Sequence, residues 1–272
     1  LDERVTPTMV KLGGSVITVK NAVFTPNVMA IHRLAKEIAE ARLSSLILVH
    51  GGGSFGHPLA RDYHIAEGYN TPGQRLGFSK TRQAMMVLNK LVIDSFIEQH
   101  LPAVAVQPSA CITTKKGRIN TFNFTSIQKL LSLGFIPVLY GDAVLDTDVG
   151  FTILSGDQLT SALAIFFTAE RIVVAVDVDG LFTDDPKSNP NATLLPEVSL
   201  SDLRGRLGQI DEAKTVDVTR GMRGKITELI PALEHGVQIE IVNAGRENRL
   251  YKALKGEPVT GTTIKPRVDC FD

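Results

Sequence analysis

The sequence has no tryptophan and only two cysteines in 272 residues. Cys111 and Cys270 lie far apart and match neither a disulfide framework nor a zinc-binding spacing, which points to a protein of a reducing, cytoplasmic compartment. A surplus of either charge is also missing, since 29 Lys+Arg balance 29 Asp+Glu. A neutral chain has no overall attraction for nucleic acid or for an anionic lipid surface, so neither is expected as a partner and any anion site must be local. No apolar run is long enough to cross a bilayer. The opening stretch Leu1 to Thr8 is charged and poor in apolar side chains, so no signal peptide is expected there. The phosphate-binding pattern G-x-x-x-x-G-K-[S/T] occurs nowhere, which excludes a P-loop. Repeats and low-complexity linkers are absent as well.

What remains is an alternation of short aliphatic runs with helical patterns. Strands are predicted at Met9–Leu12, Leu46–His50, Ala103–Gln107, Ile136–Tyr140, Ile172–Val176 and Gln238–Val242. Their near-continuous apolar character suits parallel strands covered on both faces. Helices are predicted at Val28–Ala41, Gly77–Gln99, Thr125–Leu133, Gly156–Thr168 and Gly224–His235. In the second of these, Phe78, Met85, Leu88, Val92 and Phe96 recur at roughly helical spacing. Two polar stretches, Ala110–Asn123 and Ala143–Leu154, read as β-hairpins. The order implies a three-layer α/β/α sandwich with a mainly parallel central sheet. A change of character near Arg171 divides it into an N-terminal lobe (1–170) and a C-terminal lobe (171–272). In such sheets ligands gather at the carboxyl ends of the strands.

Two glycine-rich loops fall at those ends: Lys11-Leu12-Gly13-Gly14-Ser15 after the first strand, and His50-Gly51-Gly52-Gly53-Ser54-Phe55-Gly56-His57 after the second. Consecutive glycines let a backbone approach a ligand and turn N–H groups toward an anion, and a helix starting just beyond adds its first amides. The alternative is a pair of tight strand-to-helix turns. Gly51, Gly53 and Gly56 also satisfy G-x-G-x-x-G, but the dinucleotide fingerprint wants an acidic strand end about 20 residues on, and Glu67 to Gly73 looks like a loop. Cations for phosphoryl transfer are available at Lys11, Lys20 and Lys225. Lys11 is the unusual one, because a lysine at the end of a buried strand needs a partner. Asp157, in Ser155-Gly156-Asp157, is either the N-cap of the next helix or the residue that holds two lysines. Asp177 to Pro186, which includes Asp179 and Gly180, reads as an acidic turn after a buried strand.

Taken together, these motifs resemble the amino acid kinase superfamily, in the family's order and over nearly the whole chain. The resemblance implies ATP and Mg2+ as cofactors and in-line transfer of the γ-phosphoryl group. It makes Lys11, Lys20, His57, Asp157 and Lys225 the catalytic set, with Asp157 organising the lysines. It gives the nucleotide side Lys11, Gly13, Gly14, Ser15, Asp177, Asp179, Gly180, Gly221 and Lys225, and the segment Ser188 to Ala192 resembles that of glutamate 5-kinases. The loop that cradles the acceptor is Gly51-Gly52-Gly53. Within the superfamily, HGGGSFGH ending in His57 resembles the isopentenyl phosphate kinases, and a similar loop occurs in fosfomycin kinases. The resemblance implies isopentenyl phosphate as the small-molecule partner and a homodimer as the assembly.

His57 also has a physical case of its own. A phosphate acceptor brings nearly two negative charges toward ATP, and an imidazole near its titration range can supply charge or a hydrogen bond. The acceptor side is then Gly52, Gly53, His57, Gly156 and an apolar slot from Phe78, Met85 and Ile153. An amino acid acceptor would ask for an arginine clamp and an acidic partner, and the sequence identifies no such pair.

Overall fold

The computed structural model describes residues 6–184, 189–209 and 220–266. The expected Asp177–Pro186 loop therefore runs out of the described residues after Asp184, and Ser188 and Cys270 lie outside them. The strands are β1 (Thr8–Leu12), β2 (Leu46–His50), β3 (Ala103–Ala105), β4 (Ile112–Lys115), β5 (Arg118–Phe122), β6 (Ile136–Tyr140) and β7 (Asp142–Asp146). After them come β8 (Gly150–Leu154), β9 (Arg171–Val176), β10 (Leu181–Phe182), β11 (Leu194–Leu195), β12 (Glu197–Ser199), β13 (Gln238–Asn243) and β14 (Gly261–Lys265). The helices are α1 (Gly14–Ile17), α2 (Val28–Ala41), α3 (Gly53–Asp62), α4 (Gln74–Glu98) and α5 (Pro108–Cys111). They continue with α6 (Thr125–Ser132), α7 (Gly156–Phe166), α8 (Leu200–Gln209), α9 (Arg220–Glu234) and α10 (Arg249–Lys255).

One eight-stranded sheet in the order β12-β14-β13-β9-β1-β2-β6-β3 forms the middle layer. All its pairings are parallel except β13 with β14. Side chains alternate between its faces. Met9, Ile47, Val49, Ile172 and Val174 join the core under α7 and α9, while Val10, Leu48, Val173 and Ala175 join the core under α2, α4 and α10. Both faces are dry, which is why these strands are apolar without alternation, and each fully buried aliphatic side chain contributes roughly 1.5–3 kcal/mol. This is the predicted three-layer sandwich. The sheet runs without a break across residue 170, because β1 pairs with β2 on one side and β9 on the other.

The two predicted hairpins form, and they join into a second sheet of order β5-β4-β7-β8. Asp146 ties that sheet together by accepting N–H groups from Lys116, Gly117, Asp148 and Val149. Some element ends differ from expectation. β3 stops at Ala105, since Gln107 already caps α5 and Pro108 occupies its first turn. α4 starts about a turn before Gly77, and α9 runs through Gly224. A glycine in a helix interior costs about 1 kcal/mol, which tertiary packing offsets.

Candidate active site

Strand alternation decides where Lys11 points. It shares the side of Met9 and faces α7. Its Nζ donates to Asp157 Oδ1 at 2.9 Å, and the residue is only 2% exposed. Asp157 sits in the first turn of α7, but the N-cap is Ser155, whose hydroxyl accepts the Gln158 N–H at 3.1 Å. Asp157 is thus left for cations, and Lys225 of α9 brings its Nζ to 3.6 Å from Oδ2. One carboxylate spans two ammonium groups from distant parts of the chain. Burial opposes the charge on Asp157, yet Lys11 and Lys225 together hold its carboxyl below the usual range. Burial pulls the Lys11 ammonium down; Asp157 opposes this and Lys225 adds to it. Gly156 makes room for the lysine, since a Cβ there would come within 2.8 Å of Lys11 Cε.

The two glycine loops leave the sheet side by side because Leu12 is in register with His50. They interlock backbone against backbone. A Cβ on Gly14 would lie 2.3 Å from Gly53 N, and Gly53 itself has φ +47. Thr18 links the loops, its hydroxyl donating to Gly14 O at 2.7 Å and accepting the Ser54 N–H at 3.0 Å. α1 and α3 begin inside the loops, so their first amides have no intrahelical acceptor. The N–H groups of Gly52 and Gly53 take no acceptor among the described residues.

A cavity of about 800 Å³ opens beside these groups. It brings together Lys11, Gly14, Ser15, Lys20, Gly52 and Gly53 with His57, Met85, Ile153, Gly156, Asp157, Asp177, Gly180 and Lys225. On one side, Ser15 Oγ donates to Asp177 Oδ1 at 2.8 Å and Lys20 pairs with Oδ2. Burial would raise the Asp177 carboxyl, but Lys20 and Ser15 hold it below its usual range. On the other, His57 is open to the cavity, while desolvation by its walls, then Lys225 and Lys11, lower the imidazole pKa despite the opposing pull of Asp157. Met85, only 1% exposed, lies under the second loop, so close that a Cβ on Gly56 would meet its Sδ at 2.9 Å.

Three of the expected residues point elsewhere. Gly13 is not on the cavity; its N–H donates to Ala175 O at 2.8 Å and stitches β1 to β9. Asp179 turns away to Asn243 at 2.8 Å and Arg249 at 2.6 Å, where it serves as a strut rather than facing the cavity. Phe78 packs at a tilt against Phe151 with ring centroids 5.2 Å apart, in a small separate core with Ile65 and Ala143. Gly221 lies in the first turn of α9. Thr18, Thr81, Asp142, Leu154, Phe182 and Met222 also line the cavity without having been expected. Asp142 is 2% exposed and accepts the N–H groups of Ser109 and Ala143. Burial raises its pKa, while those hydrogen bonds and Arg82 pull the other way. The acid on the cavity wall is thus already occupied by the protein's own amides. The Tyr140-Gly141-Asp142 run could have flagged it, being a carboxylate directly after a buried strand.

Two lysines gathered on one buried carboxylate, beside loops that offer free amides, form a site for passing a phosphoryl group between two anions. The chain belongs to the amino acid kinase family, whose model matches residues 7–243. It is 42% identical to the isopentenyl phosphate kinase of Methanothermobacter thermautotrophicus, over 94% of this chain and 98% of that protein. Against the isopentenyl phosphate kinase of Methanocaldococcus jannaschii the identity is 33%, with the same coverage of each. A crystal structure of an isopentenyl phosphate kinase superposes with a TM-score of 0.84 at 38% identity, covering 95% of this chain and 99% of the other. Among the described residues no helix is long and apolar enough to cross a membrane.

Proposed function

We propose that the protein transfers the γ-phosphoryl group of ATP to isopentenyl phosphate, giving isopentenyl diphosphate and ADP. The observation that carries this reading is a single cavity whose lining combines Lys11, Lys225 and His57 with the apolar side chains of Met85, Ile153 and Leu154. A doubly charged head with a short apolar tail suits that combination, and the two isopentenyl phosphate kinases described above are similar over nearly their whole length.

An oxygen of the acceptor phosphate attacks the γ-phosphorus while the bond to the bridging oxygen of ADP breaks. The nucleophile is already an anion, so no general base is required. Positioning and charge neutralisation carry the step. Gly52 and Gly53 amides and His57 hold the acceptor phosphate. Lys11 and Lys225, kept apart and aimed by Asp157, receive the charge of the moving group, and Lys20 assists from the Asp177 side. Gly14, Ser15 and Gly180 contact the nucleotide phosphates. Residues 1–170 then carry the acceptor and residues 171–272 most of the nucleotide site. Among the described residues no group of three or more His, Cys, Asp or Glu could cage a metal. A Mg2+ ion arriving on the phosphates of ATP would find Asp177 as a carboxylate on the cavity wall, and the ion would supply further neutralisation of phosphate charge.

An ADP-release assay with a panel of acceptors tests the function. Turnover of isopentenyl phosphate well above fosfomycin, uridine monophosphate and glutamate is expected. Preference for fosfomycin would replace the prenyl acceptor by a phosphonate that uses the same amides. A homodimer is also proposed, supported by Leu76, Met86, Val87 and Ile97 exposed along α4; a monomeric mass in sedimentation would reject it.

A further inference from the structure

The acceptor loop has no side chains of its own between Gly51 and Gly53, so something else must fix its peptide planes. His50, the last residue of β2, is completely buried and does not line the cavity. Its ring stacks on Tyr140 with centroids 5.4 Å apart. Its Nδ1 lies 3.0 Å from Gly51 O, and its Nε2 lies 3.1 Å from Asn89 Nδ2 of α4. A carbonyl oxygen only accepts, so Nδ1 carries the proton; Nε2 is then bare and accepts from the Asn89 amide. The two contacts agree on one neutral tautomer, and both ring nitrogens are satisfied. Burial pushes the imidazole down to about 4; the Gly51 bond opposes this, and Lys11 adds a smaller effect in the same direction as burial.

The consequence lies in the next peptide. In a trans peptide the C=O and the following N–H point in opposite directions, and the protein has no cis bonds among the described residues. Holding Gly51 O toward the ring, beneath the loop, turns the Gly52 N–H to the other side. Gly51, Gly52 and Gly53 line the cavity, whereas His50 and Asn89 do not. We propose that His50, oriented by Asn89, is a positioning residue that sets the Gly51–Gly52 peptide so that the loop amides meet the acceptor phosphate. The role rests on reading this loop as the acceptor side of the kinase.

The test is steady-state kinetics of the full chain with isopentenyl phosphate and ATP, beside thermal melting. His50→Phe keeps the ring stacking but loses both hydrogen bonds. It should raise the acceptor KM about tenfold, in line with the loss of one or two net hydrogen bonds, and leave the ATP KM within about twofold. His50→Asn retains a donor near the Nδ1 position and should recover most of the loss. Asn89→Leu, which leaves the imidazole in place but unoriented, should raise the acceptor KM about threefold. Because the ring stays neutral through the assay range, the pH profile of acceptor kcat/KM should keep its shape in all three. An unchanged acceptor KM in His50→Phe, or in Asn89→Leu should the first variant not fold, overturns the positioning role alone. Equal losses for both substrates, or no recovery in His50→Asn, overturn it too. No turnover of isopentenyl phosphate by the unmodified protein overturns the functional reading, and the positioning role falls with it.

Discussion

Two sets of groups on the cavity wall handle anions by opposite means. In one set, charge sits on side chains: Lys11 and Lys225 converge on Asp157, in a place so enclosed that Asp157 is 8% exposed. In the other, the second glycine loop offers amides and one imidazole whose pKa its surroundings lower. The first set is held by mutual charge, so removing one member leaves the others uncompensated. The second is held by absence of volume, so the damaging change there is an addition. A moving phosphoryl group needs full positive charges, whereas an acceptor that must be released as product is better held by dipoles and one adjustable group.

Asp157→Ala should break that contrast most severely. It leaves Lys11 buried beside Lys225 with no counter-charge, which costs about 3–5 kcal/mol of stability when one partner of a buried pair is removed. Turnover should fall by at least about 1000-fold, and near-normal melting together with near-normal kcat would reject the assignment. His57→Ala is expected to lower acceptor kcat/KM about 100-fold while nucleotide binding, measured by titration calorimetry, survives. Its pH dependence has a definite sign. The free-protein pKa lies below 6.5, and the protonated ring binds a dianion better. The ratio of wild-type to His57→Gln acceptor kcat/KM should therefore rise as pH falls below 6.5; a flat ratio would remove the charge role.

Gly14→Ala probes the other logic. The new methyl would collide with Gly53 N, and an overpacked site of this kind typically loses about 1–3 kcal/mol. The acceptor KM should rise with it, because the loops must part; an unaffected KM would show that their interlock is incidental to binding. The smallest effect concerns the tail. Met85→Ala should extend acceptance to longer prenyl phosphates by a few-fold in relative kcat/KM, while Phe78→Leu should mainly lower the melting temperature. An identical chain-length profile in both would erase the distinction drawn between them.

That last pair shows how much of the site was legible in the sequence. Phe78 and Met85 fall on one helical face, and periodicity treats them alike. They stand about 10 Å apart along α4. At that distance Phe78 meets Phe151 of the β7–β8 hairpin, while Met85 meets the glycine loop. The direction of Asp179 is hidden for a similar reason: an acidic turn after a strand can face either side of the chain, and the neighbours it bonds, Asn243 and Arg249, come much later in the sequence. His50 drew no functional reading because it looked like the end of a strand, which it is.

The alternation of strands and helices, the position of both glycine loops at strand ends, and the residue types able to handle phosphate can all be read along the chain. These are local properties, carried by hydrophobic pattern and by the special backbone of glycine. That Asp157 is a bridge between lysines rather than a helix cap emerges only on folding, since its partner Lys11 lies 146 residues away. The same holds for the interlocked loops, for Thr18 between them, and for the imidazole beneath Gly51. Each depends on which elements the sheet order makes neighbours, and in a parallel sheet neighbours such as β1 and β9 are far apart along the chain.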